Sequence, residues 1–162
     1  MPKVPFEQLP EDARLWVFGA SDPLDATAAD ALLRVVDAWL DGWQAHGEPL
    51  TCARDWRDAR FLAIAVDQRT AGASGCSIDA LFRSLQQLER GIGTSFLAGG
   101  RVFYRGGDGQ VQCVDRATWG ARRREGDVGD DTPVFDTTLT RVGDYRAHFE
   151  RQASTSWHAQ LA

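Results

Sequence analysis

The residues best suited to chemistry lie in one short loop, the ten positions from Thr70 to Asp79 with the sequence TAGASGCSID. Its glycines let the backbone approach a bound group closely, and its serines and aspartate can cap the helix that follows. Unpaired N–H groups and the helix dipole favour a phosphate or carboxylate at such a place. The loop therefore predicts a site for a small anionic molecule, with these candidate binding residues: Gly72, Ser74, Gly75, Ser77 and Asp79.

Cys76, in the same loop, is the candidate nucleophile. A helix N-terminus stabilises a thiolate through the dipole and free backbone donors, and a histidine would serve as its base. His158 and His46 are the candidate bases, and Trp157 is a candidate ligand contact that would anchor the tail. Structural roles compete with each assignment, because cysteine is commonly a buried apolar residue and His46 can interact with a helix C-terminus.

Two functions from different classes fit this loop. The first is a non-catalytic module that binds a small anionic molecule there, or a protein partner. The second is a thiol-dependent enzyme for acyl transfer or hydrolysis, in which loop N–H groups form an oxyanion site. The loop is not a Walker A motif, because Cys76-Ser77 stands where that motif needs Lys-Ser or Lys-Thr. Without an observed cysteine–histidine contact, the sequence favours the first function.

Composition limits the partners and the compartment. The 162-residue chain has a formal net charge of −5, with acids and bases spread along it, which argues against nucleic acid as a partner. Its longest apolar run, residues 61–66, is far shorter than the ~20 residues that span a bilayer, and residues 1–10 lack a signal-peptide core. Three cysteines without CxxC spacing argue against a disulfide scaffold or zinc site. We expect a cytosolic protein with no membrane contact and no cofactor or metal.

The elements that must position the loop follow a β-α-β-β-α-β order. Strands are expected at residues 14–19, 50–56, 60–66 and 101–105, from their bulky or continuous apolar residues. A first helix is expected from a Thr27–Asp30 capping pair to His46, where Gly47 and Pro49 end it. A second helix follows the loop and stops at Gly91 or Gly93. This order is that of the ferredoxin-like split βαβ fold, an antiparallel sheet with both helices on one face.

The length suits one α+β domain over residues 1–162. Residues 1–10 are expected to form a surface arm, residues 11–114 the split βαβ core with a hairpin, and residues 115–162 a β/α appendage on the other face of the sheet. In this topology the first helix ends at the same edge of the sheet where the second begins. His46 and Cys76 are therefore expected to lie on one edge, while His158 reaches it only if the tail folds back.

Residues 5–158 resemble a family of small bacterial proteins that are often labelled ABC transporter ATPases. The resemblance lies in four motifs: LPxxARxW at residues 9–16, AHG at 45–47, GCSID at 75–79 and SWH at 156–158. It implies no particular reaction. The ATPase label is not supported by the residues, since the chain has no P-loop lysine and is too short for such a nucleotide-binding domain.

Overall fold

The computed structural model describes residues 3–45, 48–69, 75–96 and 99–161, with the backbone alone for residues 44–45, 48–49 and 75–78. Helices and strands share this part of the chain, so the protein belongs to the α+β class, as the sequence predicts. The helices are α1 Ala26–Asp41, α2 Gly75–Ile92, α3 Arg116–Arg124 and α4 Val142–His148. The strands are β1 Arg14–Gly19, β2 Gln44–Ala45, β3 Glu48–Pro49, β4 Thr51–Arg57, β5 Phe61–Asp67, β6 Arg101–Arg105, β7 Val111–Asp115, β8 Pro133–Phe135 and β9 Glu150–Gln152.

Internal contacts divide the chain into two compact units. The first unit is Met1–Leu97 with Thr138–Tyr145, and the second is Ala98–Thr137 with Arg146–Ala162. The hairpin of β6 and β7, expected in the same core as the first helices, belongs to the second unit. The expectation of one domain over residues 1–162 stays a prediction, because a division by contacts does not test independent folding.

The first unit is built on a three-stranded antiparallel sheet in the order β1-β5-β4. All seven residues of β5 are buried, which is typical of a central strand covered on both faces. Its even-numbered side chains, Leu62, Ile64 and Val66, pack with α1 and α2 in one hydrophobic cluster. Side chains alternate between the two faces of a strand, so both helices cover the same face. The cluster includes Leu32, Val36 and Leu40 of α1 and Leu81 and Leu85 of α2.

Small residues mark the opposite face of this sheet. Ala63 and Ala65 of β5 point away from the helices, and Asp55 of β4 pairs with Ala63. Tyr145 donates its hydroxyl hydrogen to Asp55 Oδ2 at 2.7 Å, and its ring meets that of Phe6 edge-on at 5.6 Å. The N-terminal arm, expected at the surface, therefore buries the Phe6 side chain in this unit.

The first helix differs from its predicted bounds at both ends. Asp25 is the N-cap and accepts a hydrogen bond from the Ala28 N–H at 2.8 Å, so the expected Thr27–Asp30 capping pair lies inside the helix. The helix stops at Asp41, well before His46, and β2 and β3 follow as a short hairpin. Gly42 favours this stop, and Trp43 is then buried with its ring 4.5 Å from that of Trp39.

The ferredoxin-like topology is not confirmed, because the fourth strand of that fold has no place in the first sheet. Strand β6 instead pairs with β7 and β8 in a second antiparallel sheet, ordered β7-β6-β8-β9. The edge of β1 that a fourth strand would occupy is met by residues 140–141. The Leu15 N–H donates to the Thr140 carbonyl at 2.9 Å, and Arg14 forms an antiparallel bridge with Arg141.

The second unit packs its sheet around Trp119 of α3, whose side chain is fully buried. Strand β6 supplies Val102 and Tyr104 to this cluster, and Val134 of β8 completes the contact with the sheet. Asp115 caps α3 by accepting a hydrogen bond from the Thr118 N–H at 2.6 Å. The central position of β6 explains its continuous apolar residues, which suit a strand paired on both sides.

Candidate functional site

Strand β5, which precedes α2 in the chain, stops at the end of the first sheet where β1 and β4 start. Thr51, the first residue of β4, pairs with Asp67, the last residue of β5. Of the described residues, 42–45 and 48–50, which follow α1, and 68–69, which follow β5, therefore adjoin the same end of the sheet. We call this the loop end. Among the predicted site residues, His46, Gly72 and Ser74 lie outside the described residues.

Helix α2 begins at Gly75, so Gly75, Cys76 and Ser77 are its first three residues. The first N–H groups of a helix have no partner within it, and the dipole places partial positive charge there. The first turn contains no acidic residue, and Asp79 is exposed in the next turn. The side chains of Gly75 to Ser77 lie outside the described part of the structure, so the geometry available here is that of the backbone.

A bidentate ion pair lies at the end of β5. Arg69 donates from Nε to Asp67 Oδ1 and from Nη2 to Asp67 Oδ2, each at 3.1 Å, and its backbone N–H also reaches Oδ1 at 3.0 Å. These hydrogen bonds hold the pKa of Asp67 below its usual range. Arg69 therefore forms its ion pair with a carboxylate two residues earlier in the chain.

Cys52 and Cys113, the two cysteines with described side chains, lie in strands, unlike Cys76, the nucleophile that the sequence predicts at a helix start. Cys52 is fully buried in β4 and donates through Sγ to the Leu40 carbonyl at 3.4 Å. Burial, with a smaller effect of the Asp41 charge, raises the pKa of the Cys52 thiol to about 12. Cys113 is partly exposed on β7, where it pairs with Phe103. Cys52 is therefore unsuited to nucleophilic chemistry at neutral pH.

His158, a candidate base, is fully buried in the second unit. A 2.8 Å hydrogen bond joins its Nδ1 to Ser156 Oγ, and its Nε2 has no hydrogen-bond partner among the described residues. Its ring stacks on Trp157 at 3.9 Å and meets Trp119 edge-on at 6.0 Å. Burial lowers the pKa of His158 to about 4, against a weaker opposing effect of Asp136. This environment holds a neutral imidazole away from solvent and favours a packing role.

Trp157 anchors the same segment in the second unit. Its Nε1–H donates to Asp136 Oδ1 at 3.2 Å, and Arg151 Nη2 donates to Asp136 Oδ2 at 3.1 Å. The guanidinium of Arg116 lies 5.4 Å from the centre of the Trp157 ring. The indole is therefore committed to contacts within its own unit. Asp136, almost fully buried, carried no signal in the sequence because a single aspartate after a short strand matches no motif.

A second feature of the first unit was not expected from the sequence. A pocket of ≈ 320 Å³ is lined by six residues, namely Lys3, Val4, Pro5, Phe6, Asp37 and Arg54. In this pocket, Arg54 of β4 forms an ion pair with Asp37 of α1. Seventeen positions separate these two residues, so only the packing of α1 on β4 shows the pair.

No family model, curated protein or solved structure matches the chain. The resemblance to the small bacterial family therefore stays a prediction.

Within the described residues, no helix has the length and apolar character to cross a membrane, and no cluster of three or more His, Cys, Asp or Glu residues could hold a metal ion.

Proposed function

We propose that this protein is a non-catalytic module that binds a small anionic molecule at the Gly72–Ser77 loop. The observation that carries the proposal is the start of the 18-residue helix α2 at Gly75, the next element in the chain after the buried central strand β5. A long helix packed on a sheet holds its N-terminus in a fixed place. The first N–H groups then converge on one position, where an anion is favoured.

The charges around this helix start also support an anion. The first turn carries no carboxylate that would compete for the same N–H groups. Hydrogen bonds to a charged group contribute roughly 1.5–3 kcal/mol each, and the dipole adds about 0.3–1 kcal/mol. Two such hydrogen bonds correspond to a dissociation constant on the order of 1 mM. A protein partner presenting a carboxylate or phosphate would use the same donors.

The test compares melting temperatures in phosphate and chloride at matched ionic strength. Phosphate also stabilises proteins by exclusion from their surface, so two variants separate binding from that general effect. Gly75→Asp places a carboxylate at the start of α2 and should abolish the phosphate-specific increase. Gly91→Asp adds the same charge near the other end of the helix, at an exposed position with open space around it, and should retain the increase.

A second variant covers the case in which Gly75→Asp does not fold. Asp79→Asn removes an exposed carboxylate from the second turn of α2 and should enlarge the phosphate-specific increase, because a nearby negative charge is lost. Equal melting temperatures of the native protein in phosphate and chloride would contradict the proposal. So would an equal phosphate effect in the Gly75→Asp and Gly91→Asp variants.

The thiol-dependent enzyme is the alternative, with Cys76 as nucleophile and a histidine as base. The position of Cys76 at the start of α2 suits a stabilised thiolate. No described contact favours it further, and the burial of His158 with its Nδ1 bonded to Ser156 makes that residue a poor source of base catalysis. His46 lies outside the described residues. We therefore favour binding over catalysis.

A further inference from the structure

The pocket between the N-terminal arm and the helix α1–strand β4 layer is distinct from the proposed loop site. Its residues come from three segments: the arm, α1 through Asp37 and β4 through Arg54. Hydrogen bonding fixes the arm, because the Val4 N–H donates to the Cys52 carbonyl at 2.9 Å. The Phe6 ring is held against Tyr145. The pocket is therefore formed before any ligand arrives, which lowers the entropic cost of binding.

Three charged groups line one side of this pocket. Arg54 donates two hydrogen bonds to Asp37, from Nε to Oδ1 at 2.8 Å and from Nη2 to Oδ2 at 3.1 Å. Lys3 Nζ lies 3.4 Å from the same Oδ1. The hydrogen bond from Arg54 holds the pKa of Asp37 below its usual range, so Asp37 is ionised at neutral pH. Two cations and one anion leave the pocket with a net charge of about +1.

The remaining donors point to the kind of ligand. The fork of Arg54 binds Asp37 through Nε and Nη2, and no described protein group bonds its other terminal nitrogen, Nη1. An ammonium group has three donors, and within the described part of the chain Lys3 makes one ion pair. Val4, Pro5 and Phe6 supply apolar surface beside these donors. A ligand that uses both features has a negative group joined to a short apolar group.

We propose that this pocket binds a small monocarboxylate with a short aliphatic or aromatic group. Pockets for small molecules have volumes of about 300–1,000 Å³, so this one, at ≈ 320 Å³, suits a compact ligand and not a nucleotide. The carboxylate would contact Arg54 and Lys3, and the apolar group would pack against Pro5 and Phe6. This site is independent of the Gly72–Ser77 loop.

The experiment titrates the full chain with butyrate and with butyramide, its neutral counterpart, followed by backbone NMR shifts. Butyrate should perturb signals of residues 3–6, Asp37 and Arg54, and should bind at least about tenfold more tightly than butyramide, because an ionic hydrogen bond is stronger than a neutral one. Arg54→Gln should weaken butyrate binding about tenfold or more. Arg34→Gln, an exposed site on α1, removes the same charge outside the pocket and should leave binding unchanged.

Further variants keep the proposal testable if Arg54→Gln does not fold. Lys3→Gln, at the partly exposed end of the arm, should also weaken butyrate binding, whereas Gly75→Asp should leave it intact. Equal affinity for butyrate and butyramide would overturn the proposal, as would an equal loss in Arg34→Gln and Arg54→Gln. Shifts confined to residues 75–79 would assign butyrate to the loop and overturn this pocket while supporting the proposed function.

Discussion

The burial of His158 should make the second unit lose stability as the pH falls below neutral. Its pKa lies near 4 in the folded protein, against an ordinary value of 6.5. Above pH 6.5 the imidazole is neutral in both folded and unfolded chains and stability is fully present. Between pH 6.5 and about 4 the unfolded chain binds a proton that the folded chain does not, so acid favours unfolding.

The magnitude follows from the interval between the two pKa values. Each pH unit within it changes the free energy of unfolding by about 1.4 kcal/mol, which gives a total loss of about 3 kcal/mol between pH 6.5 and 4. The charged groups that act on the ring are Asp136, which raises its pKa, and Arg151, which lowers it. Both effects are smaller than that of burial, so the sign of the dependence is set by the buried, neutral ring.

The assay is urea unfolding between pH 4.5 and 7.5, combined with hydrogen exchange of residues 116–124 and 153–161 to isolate the second unit. His158→Gln should flatten the pH dependence of this unit, even if the variant is less stable at every pH. His148→Gln, at an exposed position in α4, should keep the wild-type slope. In native protein, the NMR signals of the His158 ring should not move between pH 7 and 5. A His158→Gln slope equal to that of wild type would refute the reasoning.

Two further predictions concern thiol reactivity and backbone strain. Iodoacetamide at neutral pH should alkylate Cys76 faster than Cys113, and Cys52 most slowly, because Cys52 is buried and α2 offers a dipole that strands lack; peptide mapping checks this, and faster labelling of Cys113 would contradict the dipole argument. Ala59→Gly should raise the free energy of unfolding by about 0.5–1 kcal/mol, since Ala59 has a φ of 55°, a conformation that costs other residues more than glycine. Ala31→Gly, within α1, should lower it by about 1 kcal/mol, and a loss of stability in both variants would count against strain at Ala59.

Local signals in the sequence predicted the strands of the first sheet and the second helix well. Strand β1 has its predicted bounds, and β4 and β5 are each displaced by one residue. Helix α2 ends at Ile92, with Gly93 following at a φ of 80°. Periodicity, continuous apolar residues and glycine stops are all properties of neighbouring positions, so they can be read without knowledge of the fold.

The choice of strand partners depended on distant residues and was not predicted. The pattern of β6 indicates a strand paired on both sides, but it does not name the neighbours. In the structure those neighbours are β7 and β8. The edge of β1, where the ferredoxin-like fold would place β6, is instead hydrogen-bonded to the Thr140 carbonyl through the Leu15 N–H. Likewise, Gly47 and Pro49 predict that α1 ends at His46, whereas the helix stops at Asp41 and the Trp43 indole is buried beside Trp39.

The candidate sites likewise include features that follow from neighbouring residues and features that depend on distant ones. The start of α2 near Cys76 followed from the glycines and small residues before an amphipathic pattern. The surroundings of His158 did not, because Trp119 and Asp136 come from separate parts of the chain. The pocket at Arg54 was missed for the same reason, since its carboxylate partner, Asp37, comes from α1.

The edges of the first sheet bear on which partner the loop end can accept. A protein that binds by adding a strand needs free backbone groups at a sheet edge. At the loop end, Val4 donates to the carbonyl of Cys52 on the β4 edge, and Thr140 accepts from Leu15 on the β1 edge. Strand addition at these positions would have to displace one of the two segments. The proposed anion site would use the N–H groups of a helix start and not a sheet edge, so that proposal does not depend on displacing either segment.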